Sequence, residues 1–199
     1  NTRHGMRKPG MWMFESRSKK IIYWPREGET AEKLDVTISK THSILAAAHV
    51  QGVKVEGIVF EGCSKDPAYN NPYADNPNAA ISINDAGLHI DNCEIRNCAA
   101  KGIHATKPDH SRVTRTHVHH VGAECIDYFD GGNASDIEWC HVHHGGLLSP
   151  SMLIGMQLSN CKCVGNKIHH GPACGVVMWS CNSVFASNDI SVVMYASKD

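Results

Sequence analysis

Three histidine-rich clusters have the residue type to bind a transition metal through imidazole nitrogens. They are HVHHVG at 117–122, HVHHGG at 141–146 and IHHGP at 168–172, in a chain of 199 residues that contains 14 histidines. Neutral imidazole is the commonest side-chain ligand of zinc and copper in proteins. The alternative is a repeating fold that returns histidine to the same position in successive units.

Carboxylates form a second group with catalytic potential. Glu124, Asp127 and Asp130 lie within AECIDYFDGG at 123–132, the densest acidic cluster in the second half of the chain. A positioned carboxyl group can act as a general acid, a general base or a nucleophile. DGGN at 130–133 is also an ordinary turn sequence, in which the aspartate binds backbone N–H groups. The residues alone leave both interpretations open.

The histidine clusters belong to a repeat of 22–26 residues. Its first interval is longer, at 36 residues, and holds a loop-like insertion rich in Pro, Asn and Asp at 64–78. Each unit consists of short β-rich runs separated by turns, and no capped amphipathic helix follows residue 50. This pattern predicts an all-β solenoid. The aligned inward-facing residues are Val59, Ile95, Val118, Val142, Ile168 and Ile190.

In a β-solenoid, equivalent residues of successive coils stack about 4.8 Å apart. Nitrogens spaced along one straight column do not converge on a tetrahedral ion. The sequence therefore favours stacked histidines over a metal centre, and we expect no metal and no cofactor. The predicted columns are His117 with His141, then His119, His143 and His169, then His120, His144 and His170 at the following turn.

Small polar or thiol side chains recur two positions before the aligned apolar residues, which predicts an internal ladder at a turn. The chain has nine cysteines, an odd number, without the paired spacing of a zinc site or a compact disulfide framework. We therefore expect most cysteines to be reduced core residues. The ladder positions are Cys93, Thr116, Cys140, Asn166 and Asn188.

Strand alternation also assigns side chains to the outer face of one sheet. If Ile103 and Ile126 point into the core, His104 and Asp127 point outward on neighbouring strands. Asp127 is then a mid-strand carboxylate that faces solvent, a position where aspartate contributes little to a fold. Further outward positions of the same sheet are Gln157 and Trp179.

Composition excludes some partner classes. The formal net charge is −1, so the chain lacks the excess of basic residues that would predict a nucleic-acid partner. The apolar runs are too short to span a bilayer, and no polybasic run predicts a membrane surface.

Four segments resemble right-handed parallel β-helix proteins of the pectate-lyase-like superfamily. Among these, the resemblance is closest to carbohydrate-active bacterial proteins near glycoside hydrolase families 120 and 141. GMWMFESRSKKIIYWPREGE at 10–29 is similar to the hairpin of the family, and HSILAAAHVQGVKVEGIVFEGC at 42–63 to its first coil. NKIHHGPACGVVMW at 166–179 and SNDIS at 187–191 resemble later coils.

The resemblance implies a β-rich segment with a hairpin at 1–49, then about six parallel β-helix coils at 50–199. Relatives are longer, so the chain is expected to be an internal fragment that assembles with the remaining coils of its parent protein. Secretion, or a periplasmic or cell-surface location, is implied as well.

The implied function is a glycoside hydrolase that cleaves a polysaccharide or oligosaccharide through paired carboxylates. The catalytic candidates are Asp127, Asp130 and Asp199. The candidates for substrate binding are His104, Glu124, Gln157 and Trp179.

Two other functions stay open. A polysaccharide lyase needs a basic residue, for which Lys101 and His104 are the candidates on this sheet, and often a calcium ion held by clustered acids. A glycan-binding or adhesin solenoid needs neither. Fold alone does not decide among the three.

Overall fold

The computed structural model describes residues 5–66 and 78–194. These residues contain strands, turns and a short 3₁₀ turn at Ala31–Lys33, without any α-helix. No helix in these two ranges is long and apolar enough to cross a membrane. The chain divides into two compact units, residues 1–38 and 39–199.

The first unit contains the predicted hairpin. Strand β1 (Trp12–Glu15) pairs antiparallel with β2 (Lys20–Tyr23), and Glu15 lies opposite Lys20. The turn between them ends at Lys19, whose φ of 56° closes the loop in the left-handed region.

The second unit is a parallel β-solenoid, as predicted. Among the described residues its strands form six coils of three, or about five full turns from the first coil to the last. In chain order they are β3 (Leu45–Ala48), β4 (Val53–Glu56) and β5 (Val59–Glu61); β6 (Ala79–Asn84), β7 (Leu88–Asp91) and β8 (Glu94–Cys98); β9 (Lys101–Thr106), β10 (Arg112–Thr114) and β11 (His117–Val121); β12 (Ile126–Phe129), β13 (Asp136–Glu138) and β14 (His141–His143); β15 (Ile154–Met156), β16 (Lys162–Val164) and β17 (Lys167–Gly171); β18 (Val176–Met178), β19 (Val184–Ala186) and β20 (Asp189–Val193).

Corresponding strands of successive coils pair in parallel and form three six-stranded sheets. The first sheet is β3, β6, β9, β12, β15 and β18; the second starts at β4 and the third at β5. Because β3 pairs with β6, the solenoid already includes residues 45–48, whereas the sequence places the boundary between 49 and 50.

The inward-facing residues form one continuous core. Ile95, Val118, Val142 and Ile168 are fully buried and lie opposite one another in the third sheet, as predicted. Each such side chain contributes about 1.5–3 kcal/mol by burial.

The prediction for the first coil is wrong by one residue. Phe60, not Val59, lies opposite Ile95, and Phe60 is 6% exposed whereas Val59 is 53% exposed. Three consecutive apolar residues, at 58–60, leave the alternation ambiguous, and a slip of one residue reverses the face of every side chain. The register is consistent with burial of the larger phenylalanine.

The predicted ladder ties the coils together at the bend before the third sheet. The backbone N–H of Cys93 donates to Thr116 Oγ1 at 3.3 Å, and the N–H of Cys140 donates to Asn166 Oδ1 at 2.9 Å. The Asn166 N–H donates in turn to Asn188 Oδ1 at 2.9 Å. These bonds satisfy backbone groups that are buried where the strands end.

All nine cysteines carry free thiols, and seven of them are buried. Burial raises the pKa of Cys140 and of Cys163 to about 12 in each case. The buried thiols therefore serve as small core side chains, as the sequence predicts.

Candidate functional site

A buried cluster of charged residues joins two neighbouring strands of the first sheet. Asp127 on β12 lies opposite His104 on β9, because Ile126 and Ile103 beside them both face the core. Asp127 Oδ2 is 2.5 Å from Lys101 Nζ and 3.0 Å from His104 Nδ1. Lys101 begins β9, and its long side chain reaches the next coil.

The prediction that Asp127 faces solvent is wrong. The side chains of Asp127, Lys101 and His104 are 9%, 8% and 3% exposed. Alternation correctly places His104 and Asp127 on the outer side of the sheet, but it carries no information about what lies over them. An outward strand position is therefore not the same as an exposed one.

Glu124 lies beside the same ammonium group. Its Oε2 is 3.8 Å from Lys101 Nζ, and the Ser151 hydroxyl donates to its other oxygen. The oxygens of Glu124 and Asp127 that face Lys101 are therefore within about 6.3 Å of each other, the sum of their distances to Nζ. Two carboxylates thus share one cation.

The electrostatics keep Asp127 ionised. Burial alone raises the pKa of its carboxyl, but the hydrogen bond from His104 and the charge of Lys101 outweigh burial and hold the pKa below its usual value. With Nδ1–H donating to Asp127, the other ring nitrogen of His104, Nε2, lies 3.3 Å from the Thr106 hydroxyl. The cluster therefore holds an ionised carboxylate between a lysine and an imidazole that both contact it.

A glycine makes room for the carboxylate. Gly155 lies opposite Asp127 on β15, and a Cβ placed there would be 2.9 Å from Asp127 Oδ1 and 3.1 Å from Met152 Sδ. Both distances are shorter than ordinary contacts. The absence of a side chain at position 155 therefore leaves the space that the Asp127 carboxylate occupies.

A shallow groove of about 420 Å³ lies where strands of the first sheet end. The backbone N–H of Gln157 donates to the Tyr128 carbonyl at 2.8 Å, so the groove adjoins the strand that carries Asp127. Trp179 in the groove is 59% exposed. An exposed indole face next to an amide side chain is suited to stack on and bind a sugar ring. The lining residues are Gly131, Gly132, Gln157, Leu158, Ser159, Trp179, Ser180 and Cys181.

The histidines form the predicted columns on the third sheet. His117 lies opposite His141, and His119, His143 and His169 follow one another across β11, β14 and β17. The ring centroids of His117 and His141 are 4.6 Å apart, and the two rings are nearly parallel. The third predicted column stacks at the following bend: its centroids are 4.8 and 4.9 Å apart, for His120 with His144 and His144 with His170.

Neighbouring columns also contact each other. His117 Nε2 is 2.8 Å from His143 Nε2, one coil further on, and His143 Nδ1 is 2.6 Å from His144 Nδ1. Burial and the neighbouring histidines lower the pKa of His117 to about 4 and that of His143 to about 3. These two rings are therefore neutral at pH 7. We call the eight stacked histidines of the three columns the histidine ladder.

The family model for a right-handed β-helix region matches residues 36–190. This range holds β3 to β19 and the start of β20, with both clusters described above. The chain belongs to the right-handed β-helix family. Comparison with the curated proteins and with the solved structures gives no match. Family membership establishes the fold, and the reaction has to be argued from the side chains.

The other two catalytic candidates lie outside the Lys101 cluster or outside the described residues. Asp130 is in a turn of the β-helix with a φ of 59°, is exposed, and has Lys107 Nζ at 3.7 Å. This position agrees with the turn interpretation of DGGN at 130–133. Asp199 lies outside the residues that the structure describes.

Of the four candidates for substrate binding, His104 and Glu124 meet at Lys101, whereas Gln157 and Trp179 line the groove. The sequence considers Lys101 only as a lyase base and does not predict that it links two carboxylates. The sequence did contain a signal for this contact, because Lys101 and Glu124 occupy equivalent positions at the starts of successive repeat units.

Proposed function

We propose that this β-helix protein hydrolyses glycosidic bonds of a polysaccharide, with Asp127 and Glu124 as its carboxylate pair. The observation that carries the proposal is their shared contact with Lys101 Nζ, which keeps their facing oxygens within about 6.3 Å. Retaining glycosidases hold their two carboxyl groups about 5–5.5 Å apart, whereas inverting enzymes need about 6.5–9.5 Å. Either arrangement fits this upper bound, and we propose the retaining one, with Asp127 as the nucleophile.

The roles follow from the surroundings of each acid. Asp127 is ionised and oriented by His104, so it attacks the anomeric carbon and forms a glycosyl ester as the bond to the leaving oxygen breaks. The general acid of this step is the protonated form of Glu124, which donates its proton to that oxygen. It then takes a proton from the water that hydrolyses the ester, which returns both acids to their starting state. Asp127 has to exchange its contact with Lys101 for the substrate.

The groove supplies a binding surface for the neighbouring sugars. Trp179 offers an indole face, and Gln157 offers an amide that can donate to and accept from hydroxyl groups. The outward positions of this sheet repeat at every coil, so they can bind the repeating sugar units of an extended polysaccharide. A polymeric substrate also favours a secreted, periplasmic or cell-surface location.

A polysaccharide lyase is the second candidate, because Lys101 Nζ lies 3.3 Å from His104 Nδ1 and both groups can exchange protons. Here Lys101 would remove a proton from a uronate. Its contacts with two carboxylates favour an ion-pair role instead. A non-catalytic glycan-binding solenoid is the third candidate.

The test is an assay on a panel of neutral and uronate-containing polysaccharides, read both by reducing ends and by ultraviolet absorbance of unsaturated products. Hydrolysis gives reducing ends without that absorbance. Asp127→Asn and Glu124→Gln should each lower turnover by at least about 100-fold, whereas the turn variant Asp130→Asn should leave it nearly unchanged. Unsaturated products indicate the lyase, and glycan binding without products indicates the binding solenoid.

A further inference from the structure

The histidine ladder brings imidazole nitrogens of different columns together. His117 is in the first column and His143 in the second, one coil further on, yet their Nε2 atoms are 2.8 Å apart. Ligand nitrogens of His117, His141 and His143 all lie within 4.8 Å of one another. Nitrogens along a single column do not converge, as the sequence indicates, but nitrogens across two columns do.

We propose that His117, His141 and His143 bind one divalent transition-metal ion of the zinc and copper type on the third sheet of the β-helix. The site is separate from the cluster around Lys101, which lies on the first sheet. It does not depend on the glycosidase proposal.

The geometry needs small side-chain movements to accept the ion. Two nitrogens bound tetrahedrally at about 2.0–2.1 Å lie about 3.3 Å apart, so the His117 and His143 nitrogens must separate by roughly half an ångström. Rotation of two partly buried rings achieves this without any change in the strands. His141 turns its Nε2 away from His169, which lies 2.8 Å away in the structure. All three ligands are on β11 and β14, so the strand register already sets their positions.

Neighbouring groups orient the ligands. His143 Nδ1 contacts His144 Nδ1 at 2.6 Å, which leaves Nε2 of His143 as the nitrogen aimed at His117. A metal-bound histidine usually has its second ring nitrogen in such a hydrogen bond, which fixes the tautomer and the ring direction. The ladder thus contains ligands and the residues that position them.

A second group of three, Glu94 with His117 and His119, is less suited to an ion. Glu94 Oε1 already lies 2.9 Å from Arg96 Nη1 and 3.1 Å from His119 Nε2. The two groups share His117, so they compete for it. The three-imidazole group contains no carboxylate that is already paired with a cation, although Lys167 lies opposite His141 on β17 and has to point away from a bound ion.

Three imidazoles select the class of ion. Zinc and copper prefer nitrogen and sulfur ligands, whereas magnesium and calcium prefer oxygen ligands. Three protein ligands leave a coordination position for water or another small ligand.

The test is calorimetric titration of tag-free, chelator-treated protein with zinc chloride, repeated with magnesium chloride. We expect one zinc ion per chain and no heat from magnesium. His143→Gln should weaken zinc binding at least about tenfold, because loss of even a supporting residue weakens metal sites by about 10–100-fold. His170→Asn removes a ladder histidine that is not a ligand and should leave the affinity almost unchanged.

Two results would overturn the proposal: no zinc binding, or several ions whose binding weakens equally in both variants, which indicates dispersed histidines. If His143→Gln fails to fold, cobalt chloride added to the unsubstituted protein decides. Four-coordinate cobalt gives intense visible absorption, and the weak spectrum of six-coordinate cobalt contradicts the site.

Discussion

Lys101 Nζ lies 2.5 Å from Asp127 Oδ2, and both side chains are buried. The contact joins a cation of one coil to an anion of the next. It lies on the outer side of the first sheet, but neither side chain is exposed there. Such a pair is costly to break from one side, because the remaining charge stays buried without its partner. The same contact therefore contributes to stability and to the proposed site.

Asp127→Asn should lower the free energy of unfolding by about 3 kcal/mol, because Lys101 loses its closest anion. Urea denaturation of the variant and of the unsubstituted protein measures the difference. Asp130→Asn is the matched control, since Asp130 is exposed and its change should stay within about 0.5 kcal/mol. Equal stability of all three proteins would show that the buried contact has no structural role.

Removing both charges should restore part of the stability that Asp127→Asn loses. In the double variant Lys101→Met, Asp127→Asn, both charges of the closest pair are gone while Glu124 keeps its hydrogen bond from Ser151, and we expect it to be more stable than Asp127→Asn alone by about 1 kcal/mol or more. The four proteins of this cycle give the coupling energy of the pair. A coupling energy near zero would mean that Glu124 and His104, rather than Asp127, compensate Lys101.

The stability contributed by Asp127 should depend on pH in the acid range. Its folded pKa lies below that of the unfolded carboxyl, so the unfolded state takes up the proton first as the pH falls. The contribution is fully present above the unfolded pKa of about 3.9 and is lost as the pH falls through the lower folded value. The stability difference between the unsubstituted protein and Asp127→Asn should therefore shrink between pH 5 and pH 2. A constant difference over that range contradicts the pKa shift.

The sequence predicts the periodic features of this molecule well. The columns of His119, His143 and His169 and the third-sheet register follow from one alignment of apolar residues. Errors arise where an apolar run has no alternation, as at Val59 and Phe60.

The site is less predictable, because it depends on side-chain reach rather than on period. Lys101 and Asp127 are 26 residues apart, and the contact depends on the length and direction of the lysine side chain. The diagonal contact of His117 with His143 likewise crosses both a column and a coil. Aligning the repeats identifies residues that neighbour each other within one column. It does not identify contacts between different columns of successive coils.

Gly155→Ala should disturb Asp127 without changing any ionisable group. The added methyl meets Asp127 Oδ1 at 2.9 Å and Met152 Sδ at 3.1 Å, so the carboxylate has to move from its contacts. We expect a stability loss of about 1–3 kcal/mol and a fall in turnover larger than the change in KM. Val177 lies opposite Gly155 on the next strand of the first sheet, so Val177→Ala is the control for changing a side chain in this row of the sheet. Normal turnover in Gly155→Ala would show that the position of Asp127 is not critical.

Trp179→Ala should weaken glycan binding and leave the chemical step intact. The indole is exposed in the groove beside Gln157, so its removal takes away a stacking surface without leaving a hole in the core. Stacking on an aromatic ring contributes about 0.5–1.5 kcal/mol, which corresponds to an increase in KM of up to about tenfold. Turnover at saturating substrate should stay the same, since a contact made equally in the ground state and the transition state does not affect it.

Trp139→Ala provides a control of the same residue type. Trp139 is 62% exposed and lies outside the groove, between β13 and β14, with its ring against Gly165. If both tryptophan variants raise KM equally, the effect is a general one of lost exposed aromatic surface. If Trp179→Ala lowers turnover and leaves KM unchanged, the indole acts on the reacting bond rather than as a binding platform. A rise in KM confined to Trp179→Ala identifies the groove as the place where the chain holds the sugars that flank the bond to be cleaved.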